Sequence, residues 1–173
     1  MYSGFGNHMN LIACVDNNWG IGCNNELLFD IKADKLMFKE YTSNKAIIMG
    51  YNTWNSLPIR PLPNRTNIVM SLRHTQDIVD AMVFDDYTML LKHISGRNLK
   101  NSDDVFVIGG QQIYELFLPY CDKAYITKVN ATKKADTHFP NLDKLNDWKL
   151  IECKEQNTQG YDIAFCKYLL SNN

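Results

Sequence analysis

Short, nearly all-apolar runs recur along this chain, separated by segments in which apolar residues return every three or four positions. Leu11 to Asp16, Lys45 to Gly50, Thr66 to Ser71 and Asp104 to Ile108 read as strands buried on both faces. Ala81 to Phe84 and Lys123 to Val129 add two more. Between them, residues 30–41, 51–57, 86–94 and 111–118 carry helical spacing, with Leu90, Leu91 and Ile94 on one face and Ile113, Leu116 and Phe117 on another. Near the end, Trp148 to Cys153 and Tyr161 to Tyr168 alternate around a turn at 157–160, the mark of an antiparallel hairpin. Buried strands alternating with helices predict an α/β fold: a single doubly wound, mostly parallel sheet of about eight strands with the hairpin at one side. Its crossovers should be right-handed and its ligand should lie at the carboxyl ends of the strands.

One helix carries an anomaly. In residues 30–41, positions 34, 37, 38 and 41 share a face, and three of them are Met37, Phe38 and Tyr41. That face should turn inward, with Asp30 as the N-cap. The fourth residue is Asp34, a carboxylate that is costly to bury without a partner. A cation one turn away would explain it, but Phe38 is at i+4 and Asp30 at i−4. A carboxylate placed this way suits a hydrogen-bond-donating heterocycle or proton handling. A first-turn carboxylate favoured by the helix dipole is the structural alternative.

Asn17 to Glu26 reads as a loop rather than a regular element, long enough to act as a lid. Two strand–glycine–helix turns, Ile48-Met49-Gly50 into Tyr51 and Ile108-Gly109-Gly110 into Gln111, let backbone approach a ligand closely. Two such turns in one domain would hold the two ends of a dinucleotide, or they are merely tight turns. Neither G-x-G-x-x-G nor the P-loop pattern is present. Arg60 to Arg65 is a proline-rigidified loop with two cations, and Asp136 to Pro140 reads as a structured turn.

Composition narrows the class. The chain has 173 residues, 45% hydrophobic and 21% charged, enough for one domain. A net charge of −1 gives no reason to expect nucleic acid or an anionic membrane as partner. No apolar run approaches the roughly 20 residues that span a bilayer. The 5 cysteines include no C-x-x-C pair and the 4 histidines lack ligand spacing, so neither a disulfide framework nor a metal site is expected. A reducing, cytoplasmic setting fits. Residues 1–8 are short, uncharged and glycine-rich, and read as a cloning remnant or disordered extension ahead of a domain spanning 9–173.

From about Met9 to the C-terminus, the order and spacing of these pieces resemble dihydrofolate reductase. The matching residues are Leu11-Ile12-Ala13, Ile21-Gly22, Asp34 with Phe38-Lys39, Ile48-Met49-Gly50, Thr53-Trp54 and Ser56. They continue through Arg60-Pro61-Leu62-Pro63, Arg65, Asn67-Ile68, Val107 to Gly110, Ile113-Tyr114-Glu115, Thr127 and Asp136 to Pro140. The resemblance implies an enzyme of one-carbon metabolism that reduces 7,8-dihydrofolate with NADPH and binds antifolate-like molecules; with no clear interface stripe in the sequence, a monomer is expected. It implies that Asp34, supported by Thr127, holds the pterin and promotes protonation at N5. Ile12, Cys14, Leu27, Lys35, Phe38, Lys39, Leu57, Leu62, Ile108 and Tyr114 would complete the substrate site, with Arg65 on the glutamate tail. The cofactor would lie against Cys14, Ile21, Gly22, Asn24, Ile108, Ile113 and Tyr114. Its phosphates would meet Gly50, Asn52, Thr53, Gly109, Gly110, Gln111 and Gln112, and its adenosine end Ser71, Leu72 and Arg73. In this family the Gly–Gly peptide is cis, so Gly109–Gly110 should be too.

The chain departs from the family pattern at several of these positions. Leu28-Phe29 stands for a usual Pro-Trp, so Phe29 occupies a catalytic position without an indole N–H. Lys35 replaces a customary leucine, Tyr51 and Gln112 stand where arginines often grip phosphates, and Leu72 replaces a small polar residue, leaving Arg73 as the cation for a 2′-phosphate. Two alternatives share the general fold or its site: a sister reductase acting on a pyrimidine intermediate of flavin synthesis, and a non-catalytic nucleotide-binding module.

Overall fold

The runs read as buried strands are strands in the computed structural model, which describes residues 9–73, 76–96 and 104–171. Met1 to His8 and His74 fall outside the described residues. In chain order the elements are β1 (Met9–Val15), β2 (Gly20–Cys23), β3 (Glu26–Leu27), α1 (Lys32–Thr42), β4 (Ala46–Gly50), α2 (Tyr51–Ser56), β5 (Thr66–Met70) and β6 (Met82–Phe84). Then come α3 (Tyr87–Gly96), β7 (Val105–Gly109), α4 (Gln111–Phe117), β8 (Cys121–Val129), β9 (Thr137–His138), β10 (Trp148–Thr158) and β11 (Tyr161–Leu170). An 8-stranded sheet runs in the order β10-β11-β8-β1-β7-β4-β5-β6. From β8 to β6 all neighbours are parallel, while β11 and β10 close the other side antiparallel.

The sheet is the core. Leu11, Ile47, Ile48 and Val107 are wholly buried in its central strands. Each such side chain contributes about 1.5–3 kcal/mol by leaving water. Helices α3 and α4 seal one layer through Leu90, Leu91, Ile94 and Phe117, and a second cluster around Ile12, Met49, Trp54 and Phe106 backs the other.

Several expectations are corrected. The segment 17–26 is not simply a loop: β2 and β3 pair within it, and β2 also pairs with β9, giving a second, 3-stranded sheet. Thus Thr137 and His138, read as part of a turn, form a strand. A four-residue strand whose partner lies more than a hundred positions away has no local signature. Asp16 anchors the start of this segment, its Oδ1 accepting from Asn18 N and Gly20 N at 2.8 Å and its Oδ2 from Lys133 N at 3.0 Å. Asp30 does not cap α1. Its carboxylate pairs with Lys35, and Ile31 occupies the N-cap position. The Lys32 N–H donates instead to Gln159 Oε1 at 2.6 Å, a cap supplied from the distant β10–β11 turn.

The alternation expected of β10 also fails. After Trp148 the strand is exposed along most of its length, because it is the sheet edge and its register shifts between Leu150 and Glu152. Cys153 and Cys166 face each other across β10 and β11 and are joined in a disulfide, which the cysteine pattern did not lead us to expect. Cys14, Cys23 and Cys121 are free. The Gly109–Gly110 peptide is cis, as the resemblance implied, and so is Arg60–Pro61.

Candidate functional site

The parallel strands β1, β7, β4, β5 and β6 all end on one side, and a cleft of about 1210 Å³ crosses those ends. Position follows from topology: a doubly wound sheet leaves its crevice beyond the carboxyl ends of its strands. Cys14 lines the cleft from β1, Gly109 from β7, Gly50 from β4, Ser71 beyond β5 and Asp85 beyond β6. The two glycine turns sit side by side, since β4 and β7 are neighbours with Met49 opposite Gly109. Both are backbone cradles that a side chain would fill. A Cβ on Gly50 would come within 3.0 Å of Ile113, and Gly109, at φ +119°, has the Tyr114 ring 3.2 Å from where its Cβ would lie.

Ile21, Gly22, Asn52, Thr53, Leu72, Arg73, Ile108, Gly110, Gln111, Gln112 and Ile113 line the same cleft, so these expected cofactor contacts are brought together. Asn24 is not part of the lining. Its N–H donates to Asp136 Oδ2 at 2.8 Å, while Asp136 N donates to Gly22 O at 3.0 Å, fastening the β2–β3 segment to β9. Only glycine fits at position 22, where a Cβ would meet Glu26 O and Thr137 Oγ1 at 2.9 Å.

Asp34, on the first turn of α1, does not itself line the cleft but lies close enough to act electrostatically on Cys14 and Tyr114, which do. Burial raises its pKa above the ordinary value of 3.8, and Cys14 and Tyr114 both feel its charge. The Thr127 hydroxyl and then Lys35 pull that pKa part of the way back. Thr127 is wholly buried on β8 opposite Cys14, and its Oγ1 lies near the carboxylate without completing a hydrogen bond to any described residue. Tyr114 donates to Ile12 O at 2.7 Å, tying α4 to β1 beneath the same spot. Burial pushes the Cys14 thiol and the Tyr114 phenol far up, so both stay neutral. Asp34 is therefore the carboxyl here that burial holds above the ordinary carboxylate range, between two groups that stay neutral.

Beyond Asp34, Phe38, Leu57, Leu62 and Ile108 pack over the cluster of Ile12, Met49 and Trp54, giving an apolar wall. Arg65 lies across it, its Cζ 5.7 Å from the Phe38 ring centre. Its Nε donates to Thr42 Oγ1 at 2.8 Å and its Nη1 to Pro63 O at 2.7 Å, so the fork is held in place at the rim. The inward face of α1 is inward only in part. Asp34, Met37 and Phe38 are half-buried, but Tyr41 is 37% exposed and rests on the Tyr125 ring, because α1 lies along the rim rather than over the core.

Among the other expected substrate contacts, Leu27 lines the cleft from β3 while 77% exposed, whereas Lys35, turned to Asp30, and exposed Lys39 do not line it. Phe29 is buried edge-on against Tyr161 with the Lys133 ammonium 4.5 Å from its ring centre. It offers the site no polar atom. Sequence reasoning missed Asp85, Asp86, Tyr87 and Glu115, which also line the cleft. The rule that ligands meet strand ends would have drawn attention to Asp85, the first residue after β6.

The family model for dihydrofolate reductase matches residues 8–170. Dihydrofolate reductase of Bacillus subtilis is 36% identical over 169 residues, covering 95% of this chain and 96% of that one. The Neisseria meningitidis enzyme is 34% identical over 161 residues, covering 92% and 96%. The Heliothis virescens enzyme is 37% identical over 153 residues, covering 79% and 80%. Among solved structures, dihydrofolate reductase from Enterococcus faecalis complexed with NADP(H) and RAB-propyl superposes with a TM-score of 0.82 at 24% identity, covering 97% of this chain and 99% of that one. That last likeness speaks to the fold.

Proposed function

The chain belongs to the dihydrofolate reductase family of NADP-dependent oxidoreductases, and from that premise we propose that it reduces 7,8-dihydrofolate to 5,6,7,8-tetrahydrofolate. The observation that carries this reading is a desolvated carboxylate, Asp34, beside a cleft built across five strand ends. NADPH fits that cleft, whose glycine turns leave room for backbone contact with phosphates, and when bound it supplies the hydride for pterin C6.

The chain's own residues supply the rest. Asp34 accepts the 2-amino and N3 hydrogens of the pterin and raises the availability of a proton for N5, the atom that must gain one as C6 gains hydride. Thr127 steadies the carboxylate. Phe38 and Ile12 pack on the flat rings, and Arg65 presents its fork to the glutamate carboxylate, a match of planar geometries. Gly50, Thr53, Gly109, Gly110 and Gln111 meet the cofactor phosphates, and Arg73 its adenosine end. The β2–β3 segment, pinned through Asp136, excludes water beside Cys14 and Ile21, so two rings held face to face react without bulk solvent. Phe29, packed under Lys133, shapes the wall behind Asp34 and leaves proton supply to the carboxylate itself.

We place the enzyme in the cytoplasm as a monomer; three free cysteines suit that reducing setting, and the Cys153–Cys166 disulfide counts against it. Purified protein mixed with dihydrofolate and NADPH should consume reduced-nicotinamide absorbance in proportion to tetrahydrofolate formed. Tight binding of both ligands without absorbance loss would sink the reading in favour of a non-catalytic module.

A further inference from the structure

The charge of the cleft sits poorly with strict selection of a dinucleotide carrying an extra phosphate. Among the described residues that line it, Arg73 is the one cation, against the carboxylates of Glu26, Asp85, Asp86 and Glu115. Two of these acids are already engaged. Asp86 Oδ1 accepts from the N–H and hydroxyl of Thr88 at 2.7 Å, and Glu115 Oε1 accepts from Gln111 Nε2 at 2.8 Å. Asp85 is exposed and has no side-chain partner among the described residues.

Its place matters. The Ser71 N–H donates to Phe84 O at 2.9 Å, so backbone ties the end of β5 to the end of β6. Arg73 follows Ser71 by two residues and Asp85 follows Phe84 by one. A cation and a carboxylate thus project from two joined strand ends into one end of the cleft. That end is opposite Asp34, where the reacting rings must be, so it receives the adenosine ribose. A ribose 2′-hydroxyl can donate to a carboxylate, whereas a 2′-phosphate needs the guanidinium and is repelled by the carboxylate.

We propose that Arg73 and Asp85 together read the ribose in both forms, so that this chain uses NADH with an efficiency close to that for NADPH. The proposal rests on the reading of the cleft as the dinucleotide site. A phosphate-selective site surrounds its phosphate with cations; here, among the described residues, the one arginine lining the cleft shares that end with an uncommitted acid. NADPH is then favoured only weakly, and the 2′-hydroxyl of NADH finds its acceptor in Asp85.

The test is the ratio of kcat/KM for NADPH to that for NADH with dihydrofolate as co-substrate, together with Kd values for NADP⁺ and NAD⁺ by calorimetry. The wild-type ratio should lie below about 10. Each charged hydrogen bond is worth about a factor of ten or more, so Asp85→Asn should raise the ratio about tenfold and Arg73→Gln should lower it about tenfold. Both positions are exposed, so neither change endangers folding. A wild-type ratio above about 100, or a ratio that Asp85→Asn leaves in place, overturns the proposal. Dinucleotide binding that follows the expected ratios without any dihydrofolate turnover would support this assignment while refuting the reductase reading. Binding of neither dinucleotide would refute both.

Discussion

Asp34→Asn tests the centre of the mechanism and yields two readouts of opposite sign. The substitution keeps the side-chain shape and removes the titratable proton. Proton transfer by a positioned group contributes about 10²–10⁴ in rate. The structure argues for the upper part of that range, because the neighbouring Cys14 and Tyr114 are held neutral by burial and cannot take over the role. A loss of about 10³–10⁴ in kcat/KM near neutrality corresponds to about 4–5.5 kcal/mol of transition-state stabilisation. Stability should move the other way. Asp34's folded pKa is raised above 3.8, so below that value the side chain is neutral in both states and costs nothing. As pH rises from 3.8 towards the raised folded pKa, the unfolded chain releases this proton while the folded protein retains it, and above the folded pKa the folded protein carries the full cost of a desolvated charge. Wild type therefore loses stability over that window, and Asn should not. Steady-state kinetics across pH and urea unfolding at matched pH provide both measurements. The wild-type rate should fall as Asp34 ionises, and the Asn variant should be slow and flat. Turnover within tenfold of wild type, or an Asn variant less stable near neutrality, would refute the reasoning.

Other consequences follow from the same geometry. Arg65→Gln should raise KM for dihydrofolate by about 10–100-fold through loss of a charged hydrogen-bonding fork, with kcat changed far less; a fall in kcat alone would contradict the tail-binding role. Gly109→Ala places a Cβ at φ +119° against the Tyr114 ring, and should cost about 1–3 kcal/mol in chemical denaturation while weakening NADPH binding. Burial works against ionisation of Asp143, but the Lys128 ammonium and the Tyr168 hydroxyl, 2.8 and 2.7 Å away, outweigh it and hold the carboxyl below 3.8. Its contribution is therefore present above that value and lost as pH falls through the lowered pKa. Asp143→Asn should destabilise the protein near neutrality by denaturant melt, and the difference should vanish in acid.

The sequence by itself determined the sheet and singled out Asp34 as a carboxylate on an otherwise apolar helical stripe. Strands buried on both faces must be apolar throughout, and a parallel sheet must alternate strand with helix, so the architecture is written in local composition. Asp34 was visible because a charge breaks a helical apolar stripe, and Gly50, Gly109 and Gly110 because they interrupt strand–helix junctions. The tertiary structure alone decided what depends on partners far along the chain. Gln159 caps α1 in place of Asp30, β9 turns a supposed loop into a sheet, and Asp85 and Arg73 line one cleft only because β5 and β6 are joined at their ends. None of these contacts leaves a periodicity to read, since each is a single pairing between segments that chain order keeps apart. The same limit applies to the acid–base character of Asp34. Its position was legible, but the desolvation that shifts its pKa comes from elements brought together by folding.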